Sequence, residues 1–243
     1  MLLLRFPSLP STQDWLRHWA RLGAAEGLAV QSAEQTAGRG RLDRSWWSPS
    51  GGGLYLSVLL RPAIPLGRAS HLTMLVSLAA IDACRTVAQV DPRPKWPNDL
   101  LVSGRKLAGV LTEIEANDDR LHFAIIGLGL NVNMSFAHTP LAETAISLSE
   151  AAGREIDIEA VRDAFLTALE RRYRRFTAGE SPLAEWQGRL EPLGRRVRVQ
   201  MDGRPELIGR ASGVHPDGGL LVEDDAGLVH TLWAGDVIPL PDP

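Results

Sequence analysis

A glycine–arginine run set between two apolar segments limits this chain more than any other feature. Gly38, Arg39, Gly40 and Arg41 are followed by Leu42, Asp43 and Arg44, and then by Leu54 to Leu60, a Leu- and Val-rich stretch with Tyr55 that reads as a strand. A dinucleotide fingerprint would need a glycine where Asp43 stands, an apolar strand running directly in, and a helix following. None of these is present, so a nicotinamide-binding Rossmann domain is excluded. Glycine lets the backbone approach a ligand closely, and arginine offers a planar, always-charged fork for carboxylate or phosphate. The run therefore suggests a loop closing over an anionic small molecule. A basic surface loop is the plain alternative, and the loop alone does not decide between them.

The chain has 243 residues, with 26 basic and 29 acidic side chains, a net charge of −3. That length suits one large domain, or one large and one small. The charge balance gives no global argument for nucleic acid or membrane. One cysteine, Cys84, excludes an intramolecular disulfide and suits a reducing cytosol. Residues 1–10 are too short and proline-broken for a signal peptide, and no apolar run is expected to reach the length of a membrane span. A cytoplasmic protein is the expectation, with a frayed Pro-Asp-Pro tail.

Along the chain, Trp15, Leu16, Trp19 and Leu22 recur at helical spacing behind Ser11-Thr12-Gln13, with Gly23 as a stop. Ser11 or Thr12 is a good N-cap. A helix start also presents free N–H groups, so the same hydroxyls can hold a polar ligand instead. Residues 28–34 read as a strand leading to Gln35. From Gly67 to about Gln89, the positions Leu72, Leu75, Val76, Ala79, Ala80 and Ala83 describe a buried helix face that includes Cys84. With no histidine or basic cluster beside it, Cys84 reads as a core thiol. Strands are expected over 106–115 and 121–131, joined by a turn at Asn117-Asp118-Asp119. Lys106 opens an otherwise apolar strand, and Gly127, Gly129 and Asn131 sit where the second strand ends. Helices are expected near 147–152, over 158–176 and over 182–190. Arg171, Arg172, Arg174 and Arg175 alternate with acids and read as a solvated face rather than a nucleic-acid contact. From Gly194 the texture changes to short strands at 196–200, 206–214, 220–222 and 228–233. Turns at Asp202-Gly203 and Pro216–Gly219 separate them, indicating a small β-barrel or sandwich.

Four motifs together resemble the biotin–protein ligases of the type without a DNA-binding domain: Ser11-Thr12-Gln13; Gln35 with Gly38–Arg41; Lys95-Trp96-Pro97-Asn98-Asp99 followed by Lys106-Leu107-Ala108-Gly109; and Gly127–Asn131. The resemblance implies an α/β (α+β) fold, a mixed β-sheet flanked by helices like the class II aminoacyl-tRNA synthetase core. It would occupy residues 1–193, with a small C-terminal SH3-like barrel over 194–243. It implies two steps. Biotin and ATP give biotinyl-5′-AMP, and biotin then passes to one lysine of a biotin carboxyl carrier domain of acetyl-CoA carboxylase.

By the same resemblance, Lys106 reaches the carboxylate and the acyl phosphate, and Arg41 and Arg39 hold the adenylate on a loop expected to move. Ser11, Thr12, Gln13 and Gln35 face the ureido ring, with Gly38, Gly40 and Gly109 close by. Arg44, Trp46, Asn98, Asp99 and Asn131 are candidates for ATP. Mg²⁺ is expected to be held by phosphates and water, with no dedicated metal cage. Trp233-Ala234-Gly235-Asp236 resembles the element that encloses the nucleotide. Two departures stand out: Asp43 replaces a common glycine, and ten residues before Ser11 are too few for a helix-turn-helix, so binding of DNA is not expected. A homodimer is left open. Competing readings are a lipoate– or octanoate–protein ligase, and a non-catalytic biotin-binding module. The hydroxyl pair at 11 and 12 favours a ureido acid over an apolar acyl chain.

Overall fold

The structure, a computed structural model, describes residues 1–42, 44–117, 120–201, 203 and 205–241. The expectations for Asp43, the 117–119 turn, the Asp202 turn and the extreme tail fall outside these residues in whole or part. A seven-stranded mixed sheet forms the body, built from β1 (Leu2–Phe6), β2 (Leu28–Ser32), β3 (Gly53–Leu60), β4 (Arg93–Lys95), β5 (Asp99–Val102), β6 (Arg105–Asn117) and β7 (Arg120–Asn131). Their order is β1-β2-β3-β7-β6-β5-β4, with β1 parallel to β2 and every other pairing antiparallel. The β6–β7 hairpin appears where the strand and turn signals placed it. The strand β1 has no counterpart in the sequence reading; its five residues gain strand geometry by pairing with β2.

Helix α1 (Thr12–Arg21) covers one face of the sheet. Ser11 caps it, its Oγ accepting from the Asp14 amide at 3.4 Å, and Gly23 beyond its end has φ +88°. Leu16 and Ala20 from this helix pack on Val30, Leu59, Phe123 and Ile125. The other face carries α2 (Ser70–Ala83) and α4 (Ile158–Thr177), with α3 (Leu148–Ala152) and α5 (Leu183–Gln187) at their margins. Because both faces are covered, β3 is buried along its whole length and reads as a continuous apolar run. Asp157 caps α4 through the Glu159 and Ala160 amides, and Val161, Phe165, Ala168 and Leu169 face the core at helical spacing.

Residues 66–88 correct one expectation. A 3-10 turn, α2 and a π turn over Cys84–Ala88 join into 23 helical residues, long and apolar enough to cross a bilayer. Of the apolar window, 72% is buried inside the fold, the setting of a central core helix. Cys84 is fully buried there, and burial pushes its thiol up to about 12. The arginines of α4 are tied to acids: Arg171 and Arg172 to Asp82, Arg172 also to Glu185, Arg174 to Glu170 and Arg175 to Glu180.

The C-terminal segment forms a five-stranded antiparallel sheet of β8 (Arg196–Gln200), β9 (Leu207–Val214), β10 (Leu220–Asp224), β11 (Val229–Leu232) and β12 (Asp236–Pro239), ordered β11-β10-β9-β8-β12. Its β9–β10 turn docks on the start of α2. Ser70 Oγ donates to Asp217 O at 2.8 Å, and Trp96 Nε1 donates to Gly218 O at 3.0 Å. Val197, Val199 and Val222 join the same apolar core as α2 and the large sheet. This docking brings β12 to the mouth of the cleft described next.

Candidate functional site

The cleft opens on the α1 face of the large sheet, and its floor is made largely by missing side chains. Gly109 stands opposite Gly129, which stands opposite Tyr55; one step on, Leu111, Gly127 and Ser57 are in register. A Cβ on Gly129 would lie 2.6 Å from the Trp46 indole, and one on Gly127 would lie 3.2 Å from the Gln13 amide. Trp46 therefore lies flat where two strands offer only backbone. The cavity measures about 430 Å³, a size that holds a small organic ligand.

A chain of neutral polar groups closes one end. Thr12 Oγ1 lies 2.8 Å from Ser57 Oγ and donates to Gln35 Oε1 at 3.1 Å; the Thr12 amide donates to the same oxygen at 2.9 Å. Gln35 Nε2 then donates to Ser48 Oγ at 3.1 Å. The Gln13 side chain donates to Leu111 O, leaving its Oε1 buried without a hydrogen-bond partner among the described residues. Ser11 is buried at the helix start. Ser11 caps α1 and also lines the cavity.

Charge gathers at the other end and on the rim. Lys106 Nζ lies 2.8 Å from Asp99 Oδ1 and 5.2 Å from the centre of the Trp46 ring. The Lys106 backbone is gripped on both sides: its amide donates to Thr144 O at 2.7 Å, and its carbonyl accepts from the Ile146 amide at 3.0 Å. Asn131, expected at the nucleotide, also braces this point, because its Nδ2 donates to Ile146 O at 3.1 Å and Lys106 O at 3.3 Å. Asn98 accepts from Arg41 Nη1 at 3.3 Å and donates to Val110 O at 2.8 Å. Burial lowers the Arg41 pKa, with Asp99 and Asp236 opposing that shift; the group stays charged. Arg44 reaches Asp236 of β12 at 2.5 and 3.3 Å, and that hydrogen bond lowers the Asp236 pKa.

The glycine–arginine loop folds back on itself as a small hairpin. Gln35 bridges Ser48 and Arg39 bridges Ser45; Trp46 N donates to Gly38 O at 2.9 Å and Gly40 N donates to Arg44 O at 2.6 Å. Arg39 turns outward to Asp14 (2.7 Å) and Glu113 (3.3 Å). Arg39 Nε and Trp46 Nε1 are buried without hydrogen-bond partners among the described residues, two donors that a ligand oxygen can take. Of the expected site residues, only Gly38 fails to line the cavity. It lies beneath the loop, where a Cβ would meet Trp46 O at 2.5 Å and Ser48 Oγ at 2.7 Å. Sequence reasoning missed Ser57, Trp47 and Phe136. Ser57 carried a signal, as the aliphatic hydroxyl in an otherwise apolar strand; Trp47 and Phe136, whose rings meet edge-on at 6.1 Å, carried none.

The model of the biotin/lipoate A/B protein ligase family matches residues 5–131, more than half of the chain. The chain belongs to that family. A second match, the biotin protein ligase C-terminal domain, spans residues 193–238 of this ligase-family chain. Bifunctional ligase/repressor BirA of Bacillus subtilis is 38% identical over 94% of this chain and 71% of that protein. Biotin–[acetyl-CoA-carboxylase] ligase of Mycobacterium tuberculosis is 32% identical over 93% of this chain and 84% of its own length. Among solved structures, the Aquifex aeolicus biotin protein ligase in complex with biotin and ATP superposes with a TM-score of 0.81 and 28% identity, covering 98% of this chain and 97% of that one.

Proposed function

We propose that this biotin/lipoate ligase-family chain is an ATP-dependent biotin–[acetyl-CoA-carboxylase] ligase. The observation that carries the reading is a single cleft with a neutral hydrogen-bonding end (Thr12, Gln35, Ser57) and a cationic end (Lys106, Arg41). The ureido group of biotin is neutral and rich in donors and acceptors, so it suits the first end; the carboxylate and a triphosphate need the second. In the first step a biotin carboxylate oxygen attacks the α-phosphorus of ATP, the bond to the β-phosphate breaks, and pyrophosphate leaves. In the second, the ε-amine of a carrier lysine attacks the acyl carbon and AMP leaves. Lys106 and Arg41 offset charge accumulating at phosphorus, and Trp46 covers the tail and excludes water.

We assign Arg44, Asn98, Asp99 and Asn131 to the nucleotide end, with Ser11, Gln13, Gly38, Arg39, Gly40 and Gly109 shaping the biotin end. Asp99 offers a hard oxygen suited to Mg²⁺ arriving with ATP, and the ion would neutralise phosphate charge. Phosphates and water would supply the rest of its coordination. We read residues 1–193 as the catalytic unit and 194–243 as a small barrel closing over the nucleotide; the texture change and the second family match support this. The partner would be a biotin carboxyl carrier domain and the compartment the cytoplasm; a repressor role is not part of the proposal. The polar end favours biotin over lipoate. The test is incubation with ATP, carrier domain and either biotin or lipoate, followed by mass spectrometry of the carrier. A biotin adduct on one lysine is expected; a lipoyl adduct alone, or none, overturns the assignment.

A further inference from the structure

Three arginines in six residues of the glycine–arginine loop have three different destinations, and Arg39 is the one turned away from the charged end. Its Nη2 meets Asp14 Oδ1 on α1 at 2.7 Å and Glu113 on β6 at 3.3 Å. Arg17, one turn along α1, binds the same two carboxylates, Asp14 at 2.8 Å and Glu113 Oε2 more closely still. Two carboxylates are thus held between two guanidiniums in a neutral four-residue cluster that joins loop, helix and sheet. Glu113 and Arg17 are about a quarter exposed, which limits screening by solvent. Arg39 begins the small hairpin of the loop, directly before the Gly40 N to Arg44 O hydrogen bond. Whatever holds Arg39 therefore holds the entry limb of the loop over the cleft. The same pinning fixes the orientation of the buried Arg39 Nε–H, which has no partner among the described residues.

We infer that Asp14 and Glu113 are positioning residues that hold the glycine–arginine loop closed by binding Arg39, and so retain the reactive intermediate until transfer. The retention half of this rests on the ligase reading; the anchoring half does not. Two kinds of measurement separate them. In the free protein, amide hydrogen exchange of residues 36–48 is compared among wild type, Glu113→Gln, Asp14→Asn, Arg39→Gln and the pair Glu113→Gln with Arg39→Gln. Exchange about fivefold faster is expected in both variants lacking Arg39, the size of two partly exposed ion pairs acting together, and about twofold faster in Glu113→Gln or Asp14→Asn alone, which lose one pair each. The paired variant should match Arg39→Gln alone, because the acid acts only through the arginine. With biotin and ATP added, biotinyl-AMP should escape into solution about twofold faster from Glu113→Gln, with the biotin KM unchanged. Unaltered loop exchange overturns the anchor. Slower escape from Glu113→Gln also overturns it, since the acids would then be competing with the ligand for Arg39. If wild type forms no adenylate, the ligase reading fails, and hydrogen exchange still decides the anchor.

Discussion

Replacing Lys106 by Gln separates its proposed role in chemistry from a role in folding, because the two would rest on different atoms. The Lys106 backbone fixes the strand through Thr144 O and the Ile146 amide, and neither bond involves the side chain. The Nζ charge meets Asp99 at 2.8 Å, but the lysine side chain is 38% exposed and the aspartate 22%. An ion pair that solvated contributes at most ~1 kcal/mol to stability. The same charge placed beside a phosphoryl group in a closed cleft interacts by ~4 kcal/mol at ~4 Å with an effective dielectric near 20. Losing that in the transition state slows the first step by about 10³-fold. Lys106→Gln should therefore melt within a few degrees of wild type and keep its circular dichroism. Pyrophosphate release on adding biotin and ATP should fall about a thousandfold, in kcat more than in KM. A well-folded variant releasing pyrophosphate at close to the normal rate refutes the placement of Lys106 at the reacting phosphate.

Four further outcomes follow from particular contacts. Thr12→Val strands Ser57 Oγ at a buried site and leaves Gln35 Oε1 only the residue-12 amide, so it should cost about 1–3 kcal/mol in stability and raise the biotin KM, read by melting and steady-state kinetics. Gly129→Ala puts a methyl group 2.6 Å from the Trp46 indole; the ring must move, so tryptophan fluorescence should shift and ligand binding weaken by about tenfold, the scale of overpacking. Asp236 is held below its ordinary pKa first by its hydrogen bond from Arg44, so its tie to the loop is complete above the unfolded value of about 3.9 and is lost only as pH falls through the lower folded value. Loop protection factors, exchange corrected for the intrinsic pH dependence of amides, should be flat across neutral and mildly acid pH in wild type and lower throughout in Asp236→Asn. Cys84, fully buried with its thiol pushed up to about 12, should ignore an aromatic disulfide reagent until denaturant is added.

What could be read from the sequence was whatever is encoded locally. Ser11 or Thr12 with the spacing of Trp15, Leu16, Trp19 and Leu22 specifies a capped helix, and the β6–β7 hairpin follows from two strand-like runs on either side of a polar turn. Pairings between distant segments were not legible. Nothing in Leu54–Leu60 names β7 as its neighbour, yet the Tyr55–Gly129–Gly109 row is what opens the floor. The strand β1, flanked by Pro7 and Pro10, has no pattern of its own and exists because β2 offers it an edge. Arginine identity was legible but arginine destination was not. The acids that take Arg39 lie 25 and 74 residues away in sequence, and only the fold brings them to the loop.

The placement of neutral and charged groups also sets which way a ligand lies. Leu111, beside the polar end, and Lys106, at the charged end, are five residues apart on one strand, roughly 16 Å at about 3.3 Å per residue. Between them the Trp46 indole rests on the Gly109–Gly129 row, an apolar surface against which an aliphatic tail can pack. Reversed, a carboxylate would face Gln35 Oε1, an acceptor already engaged by Thr12, and would leave Lys106 paired only with Asp99. That orientation desolvates an anion away from the Lys106 and Arg41 charges, an unfavourable exchange. On the proposed ligase reading, direction of binding would follow from where the strands withhold side chains and where the rim supplies charge, and the same asymmetry would present the carboxylate to the phosphate.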